Sequence, residues 1–211
     1  MQKLLIGYSR YFGNERHFKE ELDNLVLRPD AIEVVSVSDN RGFIREYFGD
    51  SVVQAIDKTP SRQKIKQLLS DVSHVIIFWD GTELTDYVYL SSLLKLTHRI
   101  IAVETTRPVN IDKDDDFDIY IGRRTPWGNP FAIGHDNMSR DDVIREYRKY
   151  FQKEFVNNPE KRKLIESLRG KRLGCHCKPL ACHGDIIAEF LNTTEPCTEL
   201  QLSQSEFKYG S

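Results

Sequence analysis

The chain has no basic surplus: 30 Lys and Arg stand against 32 Asp and Glu. That balance argues against a purely electrostatic nucleic-acid binder and leaves only a local basic patch open. No apolar run approaches the roughly 18 residues of a membrane span, so a membrane is not an expected partner. The opening MQKLLIGYSR holds one Lys and an apolar stretch that breaks at Gly7, too short for the apolar region of a secretory leader. Cysteine is scarce and uneven, with three of four inside residues 175–182 and the last at Cys197. That is not the disulfide framework of a secreted scaffold. These absences predict a cytoplasmic address, where clustered Cys and His serve metal binding or thiol chemistry. What remains is ordinary globular composition, and 211 residues are enough for two cores.

Apolar runs and helical stripes alternate through the first hundred residues. Lys3 to Tyr8 reads as a strand, followed by a helix carrying Phe18, Leu22 and Leu25. Ile32 to Val37 repeats the pattern, with Phe43, Ile44, Tyr47 and Phe48 on the next stripe. After Pro60 come a helix with Ile65, Leu68 and Leu69, the strand HVIIFWD, a helix from about Thr85 to Leu96, and the strand RIIAVE. Four near-continuous apolar strands between helices predict an α/β fold, a parallel sheet covered by helices on both faces. Ligands bind past the C-terminal strand ends in such sheets, where Ser9, residues 36–42 and 80–82 should gather.

The acidic IDKDDDFD reads as a linker or surface loop. It divides a first domain over 1–109 from a small α+β domain over 118–192, with a polar tail over 193–211. The second part opens with the strand DIYIGR and the loop RTPWGNPFAIGHDNM. Ser139 with Asp142 three residues on is close to a capping box, and Val143, Ile144, Tyr147, Phe151 and Phe155 continue as one long amphipathic helix that Asn158-Pro159 stops. A helix with Leu164, Ile165 and Leu168 ends at Gly170, RLGCHC is a strand, KPL a turn, and ACHGDIIAEFLN a helix.

The stretch GCHCKPLACHGD, residues 174–185, carries the chemistry. Cys175, Cys177, Cys182 and His183 form a Cys3His set that structural zinc accepts. Sulfurs on one zinc must lie under about 4 Å apart, given bonds of about 2.3 Å, whereas residues i and i+2 on a strand are about 6–7 Å apart. The strand must therefore end or bend between Cys175 and Cys177. Adjacent Cys182 and His183 diverge by about 100° on a helix, which makes a shared ion awkward. Alternatively, with the last helix starting near Ala181, Cys182 lies in its first turn, where free amides favour a thiolate. His183 or His176 would then serve as base, and Asp185 would orient a histidine or meet a sugar hydroxyl. A third reading makes the cysteines plain core.

The other motif, GRRTPWGNPF, offers Arg123 for a phosphate or carboxylate, the Trp127 face for a base, and Asn129 for a base edge. Its alternative is a stiff turn whose Trp127 and Phe131 plug a core. His135, on a polar loop, reads as solvated.

In the first half, IGYSR, VVS, Arg41-Gly42 opening a helix, SRQKIKQLL and HVIIFWDG resemble the SLOG group of Rossmann-like nucleotide-binding domains. The resemblance implies a nucleotide-like ligand met by Arg10, Arg62, Asp80 and Thr85. Two glycines that follow VVS in the group's pattern are Val37 and Ser38 here, and its later Gly-Thr is Leu84-Thr85. Side chains there obstruct the close approach of backbone amides to phosphate. In the second half, YIGRRTPWGNPF and CHCKPLACHGD resemble a bacterial and phage domain family of unknown function.

Because the SLOG group includes phosphoribohydrolases, the resemblance implies a nucleotide- or nucleoside-processing enzyme acting at an N-glycosidic bond as hydrolase or glycosyl or deoxyribosyl transferase. The phage family suggests modified-nucleotide metabolism. In this reading Arg123 holds phosphate, Trp127 and Asn129 bracket the base, and Cys182, His183 and Asp185 carry the chemistry. The competing expectation is a non-catalytic module that senses a nucleotide or binds nucleic acid and is stabilised by zinc. A third is a first domain that serves as a platform for a second copy of the chain.

Overall fold

The computed structural model describes residues 2–113 and 116–196. Cys197 and most of the polar tail lie outside these residues. Strands β1 (Gln2–Tyr8), β2 (Ile32–Val37), β3 (Val52–Ile56), β4 (His74–Trp79) and β5 (Thr97–Ala102) form one sheet in the order β3-β2-β1-β4-β5. All its pairings are parallel. Parallel pairing requires crossovers, here made by α1 (Glu15–Leu25), α2 (Phe43–Phe48), α3 (Arg62–Ser70) and α4 (Thr85–Leu93).

Strand periodicity sorts the core. Leu4, Ile6 and Tyr8 of β1 pack on one face with Phe18 and Leu22 of α1 and Phe43 and Ile44 of α2. Leu5 points the other way, onto Ile65 and Leu69 of α3 and Tyr87 and Leu90 of α4. Both faces of the sheet are therefore covered, as the unbroken apolar runs predict. The fifth strand, β3, is a difference from the four expected. It is an edge strand whose middle residues are exposed, so VVQAI has no full apolar run to betray it.

The second sheet orders β6 (Arg107–Asn110), β8 (Arg172–Cys175) and β7 (Ile119–Tyr120) as β6-β8-β7, again all parallel. Strand β6 falls inside the stretch that the sequence assigns to the first domain, yet it pairs with the second sheet. Around this sheet pack α5 (Arg140–Phe151), a wider π-type turn over Gln152–Val156, α6 (Pro159–Glu166) and α7 (His183–Thr193). Ser139 and Asp142 make the expected capping box at the start of α5. The second core joins Ile121, Tyr147, Phe151, Ile165, Leu173, Ile187 and Leu191, together with Cys175 and Cys182.

Thr106, in the connection that leads into β6, is tied to the end of α7 and to the turn before β8. The Thr106 amide donates to Asn192 Oδ1 at 2.7 Å, and Asn192 Nδ2 donates to the Thr106 carbonyl at 2.8 Å. Thr106 Oγ1 also accepts from the Gly170 amide at 2.9 Å. Both Thr106 and Asn192 are buried, so these bonds settle polar groups that would otherwise be stranded.

Candidate functional site

Two cavities lie past strand ends. The first, of about 560 Å3, opens at the C-terminal edge of the large sheet and is lined by Arg10, Ser38, Asp57, Thr82, Glu83 and Asp86, with Thr85 among its walls. The polar groups in and beside it are turned on one another. Asp80 accepts from Ser9 Oγ at 2.9 Å, from the Thr82 amide at 3.1 Å and hydroxyl at 2.8 Å, and from Thr105 Oγ1 at 3.0 Å. Burial acts to raise its pKa, but these hydrogen bonds outweigh it and hold the carboxyl below its usual range. Asp80 is thus spent on fixing the loops after β1, β4 and β5. Thr85 donates its hydroxyl to the Thr82 carbonyl at 2.9 Å. Arg10 binds Glu83 through Nε, Nη2 and its backbone amide, and Arg62 pairs with Asp86 at 3.5 Å. The amides of Ile44 and Arg45, opening α2, donate to Asp39 at 3.1 and 3.0 Å.

The second cavity, of about 350 Å3, collects both motifs of the second half. Gly122, Arg123, Asn129 and Phe131 come from GRRTPWGNPF, and Cys175, His176, Cys177, Cys182 and His183 from the cysteine-rich stretch. Tyr120, Ile133, Arg140, Val143 and Ile144 complete it. Two close approaches shape the loop. A Cβ on Gly128 would lie 2.7 Å from the Gly122 carbonyl oxygen, and one on Gly122 would lie 2.0 Å from the Tyr120 hydroxyl. Gly128 meets fixed backbone and requires glycine, whereas at Gly122 the Tyr120 side chain would have to turn away.

The cysteine-rich stretch bends as a shared sulfur site demands. Strand β8 ends at Cys175, the Leu180 amide closes a turn on the Cys177 carbonyl at 2.9 Å, and the Lys178–Pro179 peptide is cis. Cys182 then caps α7 from just outside it, with Asp185 accepting from the Cys182 amide at 2.8 Å. The result sets Cys175 Sγ 3.6 Å from Cys182 Sγ, both buried. The sequence points to Cys182 as the thiolate; at this separation either sulfur can donate to the other, and the surroundings of the pair favour charge on Cys175. The hydrogen bond with Cys182, with backbone N–H groups of Cys177 and Lys178 beside it, draws the Cys175 pKa down against the opposing effect of burial. The same bond, with burial added, drives Cys182 upward.

Other expected residues take different places. His183 is buried with Nε2–H donating to the Ile121 carbonyl at 2.8 Å, and burial lowers its pKa, so the ring is neutral. His176 is exposed and bonded through Nδ1 to Asp112 at 2.8 Å. Asp185 does not line the cavity; it stands behind Cys182 and forms an ion pair with Lys178. Trp127 also stays out of the lining and packs on the second core, its carbonyl accepting from Tyr147 Oη at 3.0 Å. The ring faces in the cavity belong to Tyr120 and Phe131 instead. His135 is exposed, as its polar loop suggests. Among the described residues, no group of three or more His, Cys, Asp or Glu is arranged to hold a metal ion.

The sequence reading misses Arg140, Tyr120 and Lys178. Tyr120 belongs to YIGR itself, and Arg140 could have been found from the capping box, since Ser139 as cap makes Arg140 the first residue of α5. No helix among the described residues is long and apolar enough to cross a membrane.

Comparison with known proteins bears on both halves. Residues 1–109 match the minimal SLOG domain, and residues 106–193 match a domain of unknown function, DUF4326. The second match begins before β6 and so agrees with the placement of that strand. An uncharacterized 12.4 kDa protein in the nrdA-td intergenic region of Enterobacteria phage T4 is 45% identical over 86 residues, covering 41% of this chain and 77% of the phage protein. No solved structure matches the chain. The SLOG half implies a nucleotide-related function. The chain belongs to the minimal SLOG family through its first sheet, and its second sheet lies in the part that matches DUF4326.

Proposed function

We propose that the protein binds a nucleotide in the cavity of the second domain and cleaves or transfers at its N-glycosidic bond. The reading is carried by one observation: the GR/GNPF loop and the Cys175–Cys182 pair, 40 or more residues apart in sequence, line one cavity. Its walls hold ring faces at Tyr120 and Phe131, an Asn129 amide, and two guanidinium groups. Asn129 Oδ1 accepts from the Phe131 amide at 2.9 Å, which aims the rest of the amide while stiffening the loop. Such a set suits a planar base joined to an anionic group.

In this reading the thiolate–thiol pair handles one proton. Attack of water or an acceptor hydroxyl on the anomeric carbon releases a proton to Cys175, and the pair returns one to the departing base. Asp185 and His183 position the pair, through the Cys182 amide and the Ile121 carbonyl respectively. Three reduced cysteines support a cytoplasmic setting, and the phage relative supports a role in phage-type nucleotide metabolism. Incubation with a panel of nucleosides and nucleotides, read by chromatography, should release free base together with sugar or sugar phosphate. An intact panel after incubation sinks the enzymatic reading.

A second reading has its own support. The 3.6 Å between Cys175 and Cys182 sulfurs is near the ~3.8 Å expected of two thiolates on one tetrahedral zinc with bonds of about 2.3 Å. In that case the domain is a zinc-stabilised nucleotide sensor or nucleic-acid binder. Cys175→Ser separates the two readings. Folding with retained ligand affinity and lost turnover favours the enzyme, whereas unfolding with loss of about one zinc per chain by elemental mass analysis favours the sensor.

A further inference from the structure

The two cavities treat negative charge in opposite ways. In and around the first, the groups suited to hold an anion already hold the chain's own carboxylates, and Arg10 alone of them lines the cavity. Arg10 is gripped by Glu83, Arg62 by Asp86, and the amides opening α2 by Asp39. Asp57, Glu83 and Asp86 stand in the wall itself against a single Arg10. A phosphate entering there meets three like charges, each costing about 1–4 kcal/mol at 4 Å between the water and near-surface limits. It must also displace an internal ion pair to gain one guanidinium.

The second cavity has no Asp or Glu in its wall and two arginines. Arg123 forms no hydrogen bond or ion pair with the described residues, and Arg140 makes only one bond, from Nη1 to the Ala181 carbonyl at 3.3 Å. The nearest carboxylates are occupied: Asp112 by His176, Asp185 by Lys178, and Asp142 by Ser139 and Arg145. Two guanidinium groups facing one space without counter-charge repel each other unless an anion joins them.

We infer that Arg140, acting with Arg123, reads a phosphomonoester on the ligand, so that the second cavity takes nucleoside monophosphates in preference to nucleosides and the first crevice takes no phosphate. This deepens the nucleotide reading above and rests on it for the base, but not for the phosphate. Arg140 is a specificity residue in this account: it tells phosphorylated ligands from their dephosphorylated forms.

The test is calorimetric titration of the full chain with nucleosides, the matching monophosphates and ribose 5-phosphate, repeated on Arg140→Ala, Arg140→Lys, Arg123→Ala and Arg10→Ala. A charge-assisted contact predicts monophosphates about tenfold to a hundredfold tighter than nucleosides. Arg140→Ala should erase most of that gap, Arg140→Lys should keep part of it, and Arg10→Ala should bind as the parent does. If Arg140→Ala fails to fold, the Arg140→Lys and Arg123→Ala series carries the same comparison. Nucleosides binding as tightly as monophosphates, with Arg140 silent, overturns the inference and spares the nucleotide reading. Ribose 5-phosphate binding through Arg140 without any gain from a base supports the phosphate contact and overturns the nucleotide reading. No binding by any probe overturns both.

Discussion

The crevice of the first sheet and the cavity of the second domain both lie where α/β architecture puts ligands, past the ends of parallel strands. In the crevice, Asp39, Asp80, Glu83 and Asp86 satisfy the amides, hydroxyls and guanidinium groups around them. In the cavity, Arg123 and Arg140 have no carboxylate and the pKa of Cys175 is drawn down by its bond with Cys182. A Rossmann-like sheet thus keeps its shape while its ligand groups are turned to internal bonding. In the function proposed above, the working surface stands on the small three-stranded sheet beside it.

The comparison breaks most visibly at Gly128. A Cβ there meets backbone on two sides, the Gly122 carbonyl at 2.7 Å and the Arg123 Cα at 3.2 Å, so relief requires the chain itself to shift. Gly128→Ala should destabilise the second domain by about 3 kcal/mol or more and leave the first untouched. The chain's two tryptophans make the domains separately visible, since Trp79 ends β4 and Trp127 sits in the GNPF loop. Urea denaturation followed in Trp79→Phe and Trp127→Phe backgrounds reads each domain alone. Asp39→Ala is the complementary change. It removes the acceptor of the Tyr8 hydroxyl and of the Ile44 and Arg45 amides, and should cost the first domain roughly 1–3 kcal/mol.

Acid sharpens the contrast. His183 is buried and its pKa is lowered, so the unfolded chain takes up a proton from about pH 6.5 downward while the folded domain does not. Stability of the second domain should therefore fall as pH drops below about 6.5 and keep falling until the folded histidine titrates. Asp80 is likewise depressed, but its stabilisation is complete above the unfolded carboxylate value near 4 and is lost only as pH falls through the folded value. The Trp127 signal should move between pH 6.5 and 5, and the Trp79 signal should not. Equal shifts in both signals contradict this assignment.

Two smaller effects follow. Alkylation by iodoacetamide, mapped by peptide mass, should reach Cys175 before Cys182, and Cys182→Ala should move the pH midpoint for Cys175 upward by removing its donor. Arg123→Ala should change stability by less than about 0.5 kcal/mol, since the side chain is exposed and makes no bond to the described residues.

Much of the fold is legible in the sequence because parallel strands buried on both faces leave apolar runs, and β1, β2 and β4 have them. The exposed edge of β3 and the four residues of β6, one of them Pro108, carry no such signal. The site is legible in its motifs and not in its partners. GRRTPWGNPF and CHCKPLACHGD mark loops that line one cavity, but the state of the cysteines depends on the Cys175–Cys182 contact and on nearby backbone amides that the sequence does not show. Trp127 looks like a base platform on composition, and packing assigns it to the core. Arg140 enters the cavity from a helix between the two motifs, a meeting set by tertiary structure alone.

Hydrogen exchange of the full chain with and without a nucleoside monophosphate tests the central claim most directly. Ligand held by the second domain predicts protection in residues 120–131, 140–144 and 175–183, with residues 38–40 and 82–86 unchanged. Protection confined to the crevice segments would contradict it and return the ligand to the SLOG sheet.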